Sequence, residues 1–117
     1  MTYLSRIPPC DELVRREVQA LVVSSFGSTM SIGGRTCTTT LRDLEGTSAL
    51  FLASRLVWAA TYLQGWRHAT KEGRHRGSAG LRLESLRAQI AFVEAVGEEP
   101  HWLNDLREQR DAAARVT

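Results

Sequence analysis

Three histidines, His68, His75 and His101, and two cysteines, Cys10 and Cys37, are the side chains of this 117-residue chain best suited to a transition metal. Their spacing does not assemble a site. Cys10 and Cys37 stand 27 positions apart with no C-x-x-C pair, which excludes a zinc ribbon and a thioredoxin-type redox centre. His68 and His75 are two helical turns apart, too far to share an ion at about 2 Å, and Gly73 interrupts a helix between them. No metal and no other cofactor is expected. The nearest glycine pattern to a phosphate loop runs from Gly27 through Gly33 and Gly34 to Arg35 and Thr36, with the wrong spacing and no Lys, so it reads as a turn. G-x-S-x-G, H-E-x-x-H and G-x-G-x-x-G are absent, and no paired titratable groups can be assigned to a cleft. A non-enzymatic protein is therefore expected.

Charge is the more informative chemistry. Arg67, His68, Lys71, Arg74, His75 and Arg76 fall within ten positions, offset only by Glu72. From Arg67 to Arg87 six basic residues face two acidic ones, a net +4. From Glu94 to Asp111 the balance inverts, six acidic against two basic, a net −4. The whole chain sums to only +2, so its near-neutrality conceals a polarised surface. The basic loop and its neighbour Trp66 could hold phosphates or an acidic protein surface. Alternatively the two segments solvate opposite ends of the fold, where each exposed pair contributes roughly 0 to 1 kcal/mol.

Trp58, Tyr62 and Trp66 recur every four residues and so make one ridge on a helix, running into Arg67. Core packing is the default for such aromatics, but Trp, Tyr and Arg are also the usual anchors of protein interfaces. The candidate partner-binding set is accordingly Trp58, Tyr62, Trp66, Arg67, Lys71, Arg74 and Arg76.

Gln89 to Glu108 resembles a helix-turn-helix in length and in the placing of Val96, Gly97, Leu103 and Leu106. It departs from that pattern at Val93 and Glu98. The helix that should enter a major groove would carry Glu99, Asp105, Glu108 and Asp111 toward phosphates, so the segment reads as an ordinary helical hairpin.

The elements that must position these groups follow from periodicity. Cys10, Val14, Val18, Leu21, Val22 and Phe26 repeat at threes and fours, predicting an amphipathic helix over about 10–26, with Asp11 and Glu12 at its positive end. Gly33-Gly34 between STMSI and RTCTTTL predicts a hairpin over about 28–41, with Ile32 opposite Arg35 and Met30 opposite Cys37. Met30, Ile32, Cys37 and Leu41 then share its apolar face. Thr47 or Ser48 caps a long helix over 48–71, apolar nearly all round and hence either central or shared with another chain. Gly73 to Gly80 reads as a loop, 81–96 as a helix stopped by Gly97, and 99–115 as a last helix with Pro100 in its first turn.

With 43% hydrophobic residues and 24% charged, the chain is too apolar for disorder and too near neutral for a basic nucleic-acid coat. The expectation is one mainly α domain over 1–117, about four helices around a central one, with a small β-hairpin between the first two. Ala49 to Leu63 is interrupted by Arg55 and too short to cross a bilayer, and MTYLSRIPPCDEL lacks the features of a secretory signal, so no membrane association and a reducing cytoplasm are expected. The functional expectation is a protein-binding module, an inhibitor, adaptor or chaperone-like subunit acting by surface occlusion or complex formation. Homodimerisation through the long helix fits this, as does a host-directed protein of a phage or other mobile element. The alternative is a nucleic-acid-associated regulator using the basic loop 67–76.

Overall fold

The computed structural model describes the backbone of residues 2–18, 20–24, 31–33, 36–40, 48–71 and 78–116, and the side chains of 3–18, 48–68 and 80–116. The described chain is mainly helical. Five helices, α1 (Thr2–Ser5), α2 (Pro8–Glu17), α3 (Ala49–Lys71), α4 (Ser78–Val96) and α5 (Trp102–Val116), accompany three short strands, β1 (Ala20–Ser24), β2 (Ser31–Gly33) and β3 (Thr36–Thr40).

The expected first helix over 10–26 is corrected at both ends. Pro8 and Pro9 occupy the first helical positions, where a missing N–H costs nothing, and α2 ends at Glu17 with Val18 extended at φ −103° and ψ 108°. Beyond this point the chain enters a strand. Val14, Val18, Leu21 and Val22 have helical spacing, yet Leu21-Val22-Val23 is also a continuous apolar run with two β-branched members, which lose χ1 freedom in a helix and fit a pleated sheet. Strand pairing decides between the two periodicities, and it does so through residues far along the chain.

β1 lies parallel to β3, with Leu21 opposite Cys37 and Val23 opposite Thr39. β2 runs antiparallel to the other side of β3, giving the order β1-β3-β2. In place of the small two-stranded hairpin expected over about 28–41 there is a three-stranded sheet, in which β1 of the same chain supplies the third strand that a marginal pair needs. The register also differs, since Ile32 stands opposite Cys37 instead of Arg35 and Gly33 opposite Thr36. A shift of two residues keeps the alternation of faces. Met30, Leu41 and the Gly34-Arg35 link lie outside the described residues.

α3 begins where its cap chemistry predicts. The Ser48 hydroxyl accepts from the Phe51 N–H at 3.1 Å, satisfying one of the donors left open by the first helical turn. From there α3 becomes the axis of the core: Leu50, Ala53, Leu56, Val57, Ala59, Ala60 and Leu63 are all buried. It packs on α4 along its length and on α1 and α2 elsewhere, while α5 packs on α4. Leu4, Val14, Leu86, Ile90, Phe92, Val93, Leu103 and Leu106 complete the buried cluster.

α4 starts at Ser78, so the expected loop over Gly73 to Gly80 is three residues too long; the rest of it is outside the described residues. A close approach fixes how α3 meets this start. A Cβ on Gly65 would fall against Leu81 Cδ2, so a larger residue here would force the end of the Leu81 side chain to shift. At the other end of α4, Gly97 adopts φ +89° and ends the helix as expected. α5 begins at Trp102, and Pro100 precedes it, its carbonyl accepting from the Leu103 N–H at 3.0 Å.

The α3–α4 contact contains a polar pair with no water access. Gln89, fully buried, donates through Nε2 to Ser54 Oγ at 3.1 Å, and Ser54 donates to the Phe51 carbonyl at 2.7 Å. Sliding one helix by a turn would strand the Gln89 amide in an apolar layer, whereas Ser54 keeps its bond to Phe51, so Gln89 favours this register of the two helices. Gln89 Oε1 finds no hydrogen-bond partner among the described residues.

Candidate functional site

One face of α3 escapes burial. Phe51, Arg55, Trp58, Tyr62 and Trp66 succeed one another at spacings of four, three, four and four, which keeps them within one stripe of the helix surface. Phe51, Arg55, Trp58 and Tyr62 are half-buried, and Trp66 is 50% exposed. The stripe is internally ordered. Trp58 and Tyr62 stack with ring centroids 5.3 Å apart and planes 8° apart, and the Arg55 guanidinium lies 5.2 Å from the Trp58 ring centre. Stacking and cation–π contact each hold these side chains in place. At the N-terminal end Phe51 meets Trp102 of α5 edge-on, with centroids 4.9 Å apart, so the stripe continues onto the start of α5.

The structure therefore gathers Trp58, Tyr62 and Trp66 into one surface. It also divides their roles, because Trp58 packs against the core on one side while Trp66 is half exposed. Spacing alone puts Phe51 on the side of Trp58 and Tyr62 but does not single out Arg55, although the repeat that contains it is present in the sequence. Arg55 reads first as an interruption of an apolar run, and only its place over Trp58 shows it as a member of the stripe.

Arg67 has a second attachment. Its Nη2 donates to Oε2 of Glu17, a carboxylate only 1% exposed, which also accepts from Arg16 Nε at 3.2 Å. A buried carboxylate requires such partners. This contact ties the C-terminal end of α2 to that of α3 and leaves the Arg67 side chain 54% exposed. Glu17 was not identified from the sequence; its signal there was an acidic residue three positions beyond Val14 on the apolar face of α2. Lys71 is the last residue of α3, and its side chain, with Arg74 and Arg76, lies outside the described residues.

No family model matches the chain, and no curated protein or solved structure is significantly similar to it.

The remaining chemistry is dispersed. His68 and His101 are both exposed, and no group of three or more His, Cys, Asp or Glu among the described residues could hold a metal ion. Cys10 is a free, half-buried thiol, and burial pushes its pKa up, which keeps it protonated and a weak nucleophile near neutral pH. No described helix is long and apolar enough to cross a membrane. At the acidic end Arg107 donates to Glu94 and Glu99, both at 3.3 Å, and to Asn104 at 3.1 Å. The hydrogen bond to Glu99 is the main cause holding the Arg107 guanidinium above its ordinary pKa range, and the nearby charge of Glu99 and the contacts of Glu94 add to it. Arg6 approaches Glu98 at 3.9 Å, and Arg110 lies 3.2 Å from Asp111. The acidic segment is thus held by Arg6, just after α1, and by Arg107 and Arg110 of α5, while Arg67 of the basic segment turns to Glu17.

Proposed function

We propose that this chain is a helical bundle built around α3 that works as a non-enzymatic protein-binding module, an inhibitor, adaptor or chaperone-like subunit, with the α3 stripe as its contact surface. The observation that carries this reading is the ordered, half-exposed series Phe51, Arg55, Trp58, Tyr62 and Trp66. Interfaces draw most of their energy from a few Trp, Tyr and Arg side chains whose entropy is already restrained and whose surroundings exclude water. Stacking supplies that restraint before any partner arrives. The exposed Arg67 and the basic residues after α3 add charge at one end of the surface.

The test is retention of a protein partner from the source cell by wild-type chain and by Trp66→Glu. Trp66 is half in solvent, so the variant is expected to keep its far-ultraviolet circular dichroism while losing the partner. Wild-type binding to duplex or single-stranded nucleic acid that weakens steeply with salt and disappears in the Arg74→Glu, Arg76→Glu double variant would replace this reading with the nucleic-acid one.

A further inference from the structure

The α3 stripe is bipolar in formal charge, basic at its C-terminal end and acidic beside its N-terminal end, although Arg67 also meets Glu17 and Glu98 and Glu99 also meet Arg6 and Arg107. Its C-terminal end runs into exposed Arg67 and His68 and then Lys71. Its N-terminal end, where Phe51 meets Trp102, borders exposed Glu98 and Glu99 before Trp102 and exposed Asp105 one turn after it. Between Phe51 and Trp66 the stripe is about 22 Å long. A uniformly acidic partner would suit one end and be repelled at the other. A partner that matches both ends must itself carry an aromatic stripe with reversed polarity.

We infer that the partner of the α3 stripe is a second copy of this chain, docked antiparallel about a two-fold axis between Trp58 and Tyr62. This rests on the reading of the stripe as a protein-contact surface and names its occupant. Four features fit that arrangement. Reversing α3 about the midpoint of Trp58 and Tyr62 places Trp58 of each copy opposite Tyr62 of the other. It also places Trp66 of each copy within one position of Arg55 of the other, so an aromatic face meets a guanidinium at both outer contacts. The Arg67–Lys71 end of each copy reaches the Glu98–Asp105 end of the other, which makes the charges complementary twice over by symmetry. A two-fold contact closes on itself, whereas the same charges used head to tail would propagate into a chain of molecules. The surface is narrow for a permanent dimer, so association in the micromolar range is expected.

Sedimentation velocity of the full chain over a concentration series up to several hundred micromolar tests this directly. Wild type is expected to pass from monomer to dimer. Trp66→Glu should weaken dimerisation by more than about tenfold. Asp105→Lys and Lys71→Glu should each weaken it, since each places like charges together at both ends of the homodimer. An equimolar mixture of those two single variants should dimerise again, because the mixed dimer has opposite charges at both ends. That recovery requires position 71 of one copy to meet position 105 of another, and a species that stops at the dimer separates the two-fold contact from a head-to-tail chain; Asp105 is exposed, so the charge series remains decisive should Trp66→Glu fail to fold. A wild type that stays monomeric throughout overturns the inference, as does a dimer indifferent to Trp66→Glu and to the charge variants, or a mixture that does not recover. If wild type stays monomeric yet retains a different protein that Trp66→Glu loses, the binding-module reading stands and only the second copy is wrong. If it neither dimerises nor retains a partner, both fail.

Discussion

Two ends of this molecule are held by the same kind of contact, arginine on carboxylate, in two different dielectric settings. At the end of α2 and α3 the carboxylate of Glu17 is 1% exposed, and Arg16 and Arg67 reach it from the solvent side. At the end of α4 and the start of α5, Arg107 meets Glu94 and Glu99, whose side chains are 49% and 70% exposed. The guanidinium of Arg107 meets two carboxylates, yet the basic end should contribute more to stability. Desolvation makes the difference: a carboxylate already out of water is costly to leave unpaired, whereas an exposed one regains its hydration when its partner is removed.

The largest effect should therefore come from Arg67→Ala. Removing one cationic partner of a buried carboxylate is expected to lower the unfolding free energy by roughly 2 kcal/mol, below the full cost of an isolated buried charge because Arg16 remains and Arg67 is itself half in solvent. Urea denaturation followed by circular dichroism measures it. Adding Glu17→Gln to that background should recover part of the loss, since the uncharged amide no longer needs the guanidinium. An Arg67→Ala chain as stable as wild type would break the distinction between the two ends.

A smaller effect is expected just before Arg67, where α3 meets the first turns of α4. Gly65→Ala gains about 0.5 to 1 kcal/mol of helix propensity but forces the Cβ against Leu81, whose buried side chain must shift. The net expectation is a loss of about 1 kcal/mol, read by the same urea titration. A stabilised Gly65→Ala would show that Leu81 can move aside freely and that this end of the helical pair is loosely packed.

How far these features were legible in the sequence depends on how local their causes are. The Ser48 cap, the stop at Gly97 and the length of α3 depend on side chains within a turn of the backbone they affect, and the sequence places them within a residue or two of the structure. β1 depends on pairing with β3 about fifteen residues away, and its Leu21-Val22-Val23 run satisfies a helical period equally well, so nothing local could reveal it. The β2–β3 register moved because either Gly33-Gly34 or Gly34-Arg35 can stand between the strands. For the candidate site, the four-residue spacing of Trp58, Tyr62 and Trp66 was enough to put them on one face. Whether that face is core or surface depends on which other helices pack against α3, and no residue of α3 itself encodes that. Glu17 was invisible for the same reason, because a carboxylate near the end of a short helix is ordinary until Arg67, fifty positions on, is brought to it.

The smallest effect should be at Arg107, despite its having the richest set of partners. Arg107→Ala removes hydrogen bonds to Glu94, Glu99 and Asn104 in one step, and with them the bridge between α4, the turn after Gly97 and α5. Each of those acceptors is exposed, so water replaces the guanidinium and the like charges of Glu94 and Glu99 are screened over about 8 Å at physiological salt. The packing of Leu103 and Leu106 into the core is untouched and continues to hold α5 in place. The unfolding midpoint in urea is expected to match wild type at physiological ionic strength and to fall slightly behind it only when salt is lowered to about 10 mM, where the screening length grows to roughly 30 Å and the two glutamates repel. A loss at physiological salt equal to that of Arg67→Ala would mean that the number of contacts, and not the burial of the carboxylate, sets the value of an ion pair in this fold.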